Sequence, residues 1–260
     1  MKHTQKPYTG TQAVLRSLYL LKTFQDEKPV WSLAQLSKEL KLNKTTVYRL
    51  LTALESEGLI RRNLDGETYS LGPEMVTLGA RAMRSYTLRE ACRGELKSLA
   101  EGSRETATLE ILSGRDVLIL DEIRGSHLIG SVPSIGTRWP AFATSTGKAI
   151  LANLPDEQVT NILKGSLPQY TPKTITDPAR LRKEFIETKR RGYAVADEAL
   201  ELGFRAVGAV LLQHDGEAAG AISLGGPALR FNAERVADLG KLLSGVAKRI
   251  SLRLGYEART

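Results

Sequence analysis

A single cysteine, Cys92, stands among the 260 residues, so no intrachain disulfide can form and the chain lacks the disulfide framework of small secreted domains. Histidine is nearly as scarce. His3, His127 and His214 lie far apart and none belongs to an HExxH or CxxC…H pattern, so no metal or haem site assembles locally. No metal and no cofactor are expected. There is no run of about 18 apolar residues, which excludes a membrane-spanning helix and a membrane partner. Met1 to Gly10 is polar and has no apolar core of the signal-peptide kind. A cytoplasmic address follows by elimination.

What is present is ordinary for a soluble globular chain: 42% hydrophobic and 25% charged residues. The net charge of +8 is unevenly spread. Residues 1–72 hold 11 Lys/Arg against 7 Asp/Glu, and residues 73–260 hold 26 against 22, so each part carries +4. A short segment with half the excess suits a polyanionic partner, although the same charge would also serve solubility.

The first ten residues form a loose arm. From Thr11 the apolar residues Val14, Leu18, Leu21 and Phe24 recur at helical spacing until Asp26-Glu27-Lys28-Pro29 breaks the pattern. Ser32-Leu33-Ala34-Gln35 is a capping box opening a short helix with Leu33, Leu36 and Leu40 on one stripe. Asn43 caps the next helix, whose Val47, Leu50, Leu51 and Leu54 form one buried face. That helix ends at Glu57-Gly58. Strand, tight turn and strand follow, around Asp65-Gly66. Helix, helix, short turn, helix and β-hairpin within about 60 residues is a winged helix-turn-helix.

Pro73 to Ser85 is a further helical pattern, and a new helix starts at Thr87-Leu88-Arg89-Glu90 and runs to Gly102. The resulting organisation is an arm at 1–10, a winged helix-turn-helix at 11–72, a linker helix at 73–86 and a second domain at 87–260. In that domain, strands around Ser113-Gly114 and around His214-Asp215-Gly216-Glu217 form hairpins. Helices start at Asp177-Pro178 and Asn232. Hairpins pair strands antiparallel, so the expected class is α+β with an antiparallel sheet, a sensor-like domain and not a doubly wound parallel sheet.

At 100° per residue, Thr45, Arg49, Thr52 and Ser56 lie opposite the apolar face of the 44–56 helix, flanked by Lys44, Thr46 and Tyr48. Arg can donate two bonds to guanine and Thr can meet a base edge or a thymine methyl. Tyr48 and the threonines can also bond phosphate oxygens. Arg61, Arg62 and Asn63 on the hairpin can enter a minor groove or neutralise phosphates, and Lys38 and Lys41 can touch the backbone. Singly, each has a plainer explanation: a solvated Arg49, capping by Thr45 and Thr46. Taken together they form a surface for double-stranded DNA.

Thr11–Leu21, Leu33–Arg62 with Thr45-Thr46-Val47-Tyr48-Arg49-Leu50-Leu51, and Tyr69-Ser70-Leu71-Gly72 resemble the DNA-binding domain of the IclR family of bacterial transcriptional regulators. Pro140 to Ala149 resembles that family's helix-opening segment. Arg191 to Glu198 with Gly203-Phe204-Arg205 resembles its C-terminal signature. The resemblance spans residues 11 to 255. It implies a GAF-like C-terminal domain that binds a small-molecule effector, a homodimer or dimer of dimers, and a palindromic operator. By the residue match it places the effector pocket at Leu128, Ser131, Trp139, Ser145, Thr146, Phe204, Ser223 and Gly225, with Asp197 close by.

Ala143-Thr144-Ser145-Thr146-Gly147 precedes an apolar helix and has two readings. Its hydroxyls and N–H groups can hold a carboxylate, or Thr144 or Ser145 simply caps the helix. The chain also departs from its relatives. Phe142 stands where many have His, Ala199 replaces an acidic residue, and Ala196 and Ala206 stand where some place Asp and Cys. These changes point to an apolar effector, an aromatic or branched carboxylic acid.

Two other classes compete. Catalysis lacks a constellation: Gly147-Lys148-Ala149 misses the other residues of a P-loop, Gly225-Gly226-Pro227 is a turn, Cys92 is apolar filler, and Asp197 and Glu198 have no evident partner. No catalytic residue is assigned. A helix-turn-helix used for protein contact would differ from a DNA reader in its salt dependence.

Overall fold

A computed structural model describes residues 11–25, 27–85, 87–127 and 135–257. The chain divides into two compact units, residues 1–85 and 86–260.

In the first unit, α1 (Gln12–Leu21) is followed by β1 (Trp31–Ser32), α2 (Leu33–Glu39), α3 (Lys44–Ser56), β2 (Ile60–Arg62), β3 (Thr68–Leu71) and α4 (Pro73–Ser85). The start of α2 carries the full capping box: Gln35 N–H donates to Ser32 Oγ, and Ser32 N–H donates to the Gln35 side chain. Asn43 Oδ1 accepts from Thr46 N–H at 2.7 Å and opens α3. Between them the chain reverses through Lys41, whose φ of 53° is left-handed, a conformation that costs a non-glycine residue free energy.

The hairpin differs from a two-residue turn. Asn63 N–H bonds Thr68 carbonyl, so four residues form the loop, with Gly66 at φ 71° and the Asp65 carboxylate accepting from Glu67 N–H, Thr68 N–H and the Thr68 hydroxyl. These donors hold the Asp65 carboxyl below its ordinary pKa. A strand that the sequence patterns did not reveal, β1, pairs with β3 through Trp31 and Tyr69, giving the order β1-β3-β2. Its two residues are too few to show a period. Gly72 is required: a Cβ there would sit 2.1 Å from Gly58 carbonyl, where the hairpin passes the end of α3. The core combines Leu20, Leu36, Val47, Leu51, Ile60 and Tyr69.

The second unit contains α5 (Thr87–Ser103), β4 (Thr106–Ser113), β5 (Asp116–Ile123), β6 (Arg138–Pro140), α6 (Ser145–Leu151), α7 (Asp156–Leu163), α8 (Pro178–Arg191), β7 (Ala194–Asp197), β8 (Phe204–Leu212), β9 (Ala218–Pro227) and α9 (Ala233–Arg253). The six strands are all antiparallel in the order β6-β5-β4-β9-β8-β7. The outer strand β7 falls on the 191–198 segment. Asp177 caps α8 with Pro178 at its first position, Gly192 ends it at φ 81°, and Asn232 caps α9.

Strand alternation separates the two faces of this sheet. Ala107, Leu109, Val207, Leu211, Ile222 and Leu224 join residues of α5 and α9 in one apolar core, including Cys92, whose thiol burial pushes up to about 12. The other face meets α6, α7 and α8 through Ala221, Ile150, Leu151, Leu181 and Phe185. Gly208 lets the start of α6 lie on β8, since a Cβ would sit 2.6 Å from the Ser145 backbone. Lys148 is buried and its Nζ donates to Val195 carbonyl at 3.0 Å, tying α6 to β7, with desolvation lowering its pKa. No helix among the described residues is long and apolar enough to cross a membrane.

Candidate nucleic-acid interface and effector cavity

Helix α3 buries Val47, Leu51 and Leu54, which leaves Lys44, Thr45, Tyr48, Arg49 and Thr52 exposed on its remaining surface. Thr46 is half-buried and its N–H is used by the Asn43 cap. Among the described residues Arg49 has no hydrogen-bond or ion-pair partner, so its guanidinium keeps all five donors.

The hairpin residues are more constrained. Arg61 Nε donates to Ser70 Oγ at 2.9 Å. Arg62 donates to the Tyr69 hydroxyl at 2.9 Å, with its guanidinium carbon 5.3 Å from that ring centre. Tyr69 raises the Arg62 pKa, with further contributions from Glu55 and Tyr48 of α3. The Asn63 amide donates to Thr68 Oγ1 and accepts from Ser70 Oγ, both at 2.9 Å, so it braces the hairpin.

In the second unit, a cavity of about 630 Å³ opens on the sheet face opposite α5 and α9. Trp139, Ser145, Thr146, Phe204, Ser223 and Gly225 all line it, together with Ala196, Ala199 and Ala206. Leu128 and Ser131 lie outside the described residues. Phe142 is buried in the core behind α6 and is absent from the lining.

Thr144 is the helix cap: its Oγ1 accepts from Gly147 N–H at 3.0 Å. Thr144, Ser145 and Thr146 all contribute to the cavity wall, and among the described residues the Ser145 hydroxyl has no hydrogen-bond partner.

The resemblance puts Asp197 close by the pocket, and it follows the lining residue Ala196. It is about half exposed, ion-pairs with Arg205 and lies 3.5 Å from Lys173, and it does not line the cavity. The opposite charges of Arg205 and Lys173 hold it at the surface. Its neighbour Glu198, left-handed at φ 52°, accepts from Gly203 N–H and ion-pairs with Lys173, which keeps its carboxyl below the ordinary value. Thr171 and Thr174 donate to the carbonyls of Glu198 and Ala199. These contacts fix the 198–203 loop as one wall of the cavity.

The sequence patterns did not single out Glu110. It sits on β4, with Thr106 and Thr108 on the same strand face, and all three line the cavity. Thr108 donates to Glu110 Oε1 at 2.7 Å, Thr146 to Oε2 at 2.5 Å, and the Thr108 and Ser223 hydroxyls are 2.7 Å apart. Burial pushes the Glu110 pKa up, against the lowering effect of the two hydroxyl donors. The available signal was the alternation Ala107, Leu109, Ile111 against Thr106, Thr108, Glu110. The described lining holds Glu110 and Glu201 but no Lys, Arg or His, so the carboxylic acid expected as effector meets no basic side chain there.

The sequence model of the IclR helix-turn-helix domain matches residues 13–64, and that of the bacterial transcriptional regulator IclR C-terminal domain matches residues 80–252. The chain belongs to the IclR family. The transcriptional repressor IclR of Escherichia coli K12 is 31% identical over 253 residues, covering 96% of this chain and 92% of its own. The acetate operon repressor of Salmonella typhimurium is also 31% identical, covering 97% and 93%. Among solved structures, a putative IclR regulator from Silicibacter sp. TM1040 superposes with a TM-score of 0.83 at 26% identity, covering 95% of this chain and 98% of that one. IclR proteins are DNA-binding transcriptional regulators, and the winged helix-turn-helix and antiparallel C-terminal sheet of this chain are the family's two domains. The relatives are named as repressors and regulators, not as enzymes.

Proposed function

We propose that this IclR protein reads a specific operator with α3 and the β2–β3 hairpin, and that a small organic molecule held in the cavity of the second unit modulates that binding. The reading rests above all on α3, whose apolar face is buried while Arg49, Thr45, Tyr48 and Thr52 are left exposed. In this reading Arg49 and Thr45 meet base edges, Lys44 and Tyr48 meet phosphates, and Arg61 and Arg62 meet the adjacent groove. The arrangement suits a palindromic operator read by a homodimer or a dimer of dimers, since a two-fold protein matches a two-fold site. A chain of this kind works in the cytoplasm, where the operator is.

The cavity supports the second half of the reading. It combines apolar walls from Trp139, Tyr170, Leu200 and Phe204 with the hydroxyls of Ser145, Thr146 and Ser223, the mix typical of small-molecule sites. A ligand shifts operator affinity by its differential affinity for the DNA-bound and free arrangements.

The test uses the full-length protein. An operator is selected from randomised duplexes, and affinity is followed by fluorescence anisotropy across salt concentrations. A steep linear fall of log affinity with log salt is expected. Absence of any selected sequence, or a flat salt dependence, overturns the DNA reading. Thermal-shift screening identifies ligands, because a binder raises the unfolding midpoint. Ser145→Ala with Ser223→Ala then weakens their binding without changing operator affinity in their absence.

A further inference from the structure

Among the described residues, the second unit buries three carboxyls in its sheet region, and two of them are paired with arginine. Asp121, fully buried, receives Arg89 and Arg93 from α5. Glu105, 2% exposed, receives Arg230 and Arg235, with the Arg230 pair bidentate. Glu110, 6% exposed, has no ion pair among the described residues. It is also the one of the three that lines the cavity.

A buried carboxyl without a cation is unfavourable, and the fold shows twice how it answers that problem. At Glu110 the missing cation cannot come from the cavity wall, because the described lining contains no Lys, Arg or His. Nor can it come from the stretch 128–134, Leu-Ile-Gly-Ser-Val-Pro-Ser, which carries no ionisable side chain. Thr108 and Thr146 each donate one hydroxyl, one to each carboxyl oxygen. Each oxygen keeps a further lone pair.

We propose that the effector is a small organic cation, an amine whose N–H groups meet Glu110 at the cavity floor while its apolar part lies against Trp139, Tyr170 and Phe204. This rests on the reading of the cavity as the effector site. The aromatic walls reinforce the choice, because ring faces attract cations and offer no equivalent gain to an anion. Exposed Glu201 places a second negative charge in the lining and favours entry of the same sign of ligand. Burial favours the neutral form of Glu110 in the empty cavity. An ammonium ligand against the carboxyl favours its ionised form.

The experiment uses three matched sets of probes on the full-length protein: aromatic or aliphatic amines, and the carboxylates and alcohols of the same carbon skeleton, beginning with benzylamine, benzoate and benzyl alcohol. Thermal shift ranks them and calorimetry measures them. Wild type is expected to bind the amine about tenfold or more tightly than its carboxylate and alcohol. Glu110→Gln removes the preference, and Gly225→Val, which crowds the wall beside Phe204, removes binding of the amine altogether. Preference for carboxylates or alcohols, or an amine preference unchanged in Glu110→Gln, overturns the charge assignment while leaving the cavity as an effector site. Silence of every probe overturns both.

Discussion

The hydroxyl of Thr146, in the first turn of α6, donates to Oε2 of Glu110 on β4 at 2.5 Å. Thirty-six residues separate them in sequence. The contact joins a helix to the sheet at the cavity floor, beside the bond from Thr108 to the other carboxyl oxygen. Thr146→Val keeps the shape and deletes the donor. It is expected to destabilise the protein by about 1–3 kcal/mol, the range for leaving a buried acceptor short of a bond. Urea denaturation of the variant measures it. A loss below a few tenths of a kcal/mol would show that the bond is not maintained.

Glu110 carries a pH signature. Its folded-state pKa lies above the ordinary carboxyl value, so between the unfolded and folded values the native chain holds more protons than the unfolded one. Stability attributable to this group is present at low pH and falls as pH rises through that window. Glu110→Gln removes the titration. Its unfolding midpoint is expected to exceed wild type at pH 8 and to approach it near pH 4, checked by thermal melts across that range. A difference that grows toward low pH contradicts the assignment.

Arg49 and the hairpin residues are expected to fail differently. Arg49→Ala relaxes discrimination at one operator base pair by about 1–3 kcal/mol. Arg61→Ala lowers affinity evenly across sequences and reduces the salt slope by about one. Asn63→Ala acts mainly through hairpin stability, because its amide is engaged with Thr68 and Ser70. Anisotropy titrations on operator variants, with a melt of each protein, separate the three. Equal base discrimination in wild type and Arg49→Ala would displace α3 from the groove.

Lys41 sits in the α2–α3 reversal at φ 53°, where glycine carries no steric penalty. Lys41→Gly is therefore expected to stabilise the first unit by about 1 kcal/mol. Operator affinity should fall slightly at low salt as one backbone cation is removed. Chemical denaturation reads the first effect and anisotropy the second. A destabilised variant would mean that the lysine side chain makes contacts worth more than the relief of strain.

The DNA-reading half was legible in the chain itself because its signals are local. The Ser32–Gln35 capping box, the Asn43 cap and the i, i+3, i+4, i+7 spacing of Val47, Leu50, Leu51 and Leu54 each lie within one or two helical turns. Chain direction and side-chain period then determine which residues face outward, so Arg49 and Thr52 could be placed without a fold. The hairpin was less so. Asp65-Gly66 marks the reversal, but the loop length depends on the register with which Asn63 meets Thr68.

The cavity belongs to tertiary structure. Glu110, Thr146 and Ser223 come from three elements, and Thr108 meets Ser223 across 115 residues only because β4 lies beside β9. Strand order is a non-local choice that periodicity does not encode, and the alternation on β4 becomes informative only once its second face is known to be covered by α6. The same reason leaves Asp197 beside the cavity and outside its lining, paired with Arg205 and Lys173. Short-range spacing determined the part of this protein that reads DNA, while pairing of distant strands decided what the other part can hold.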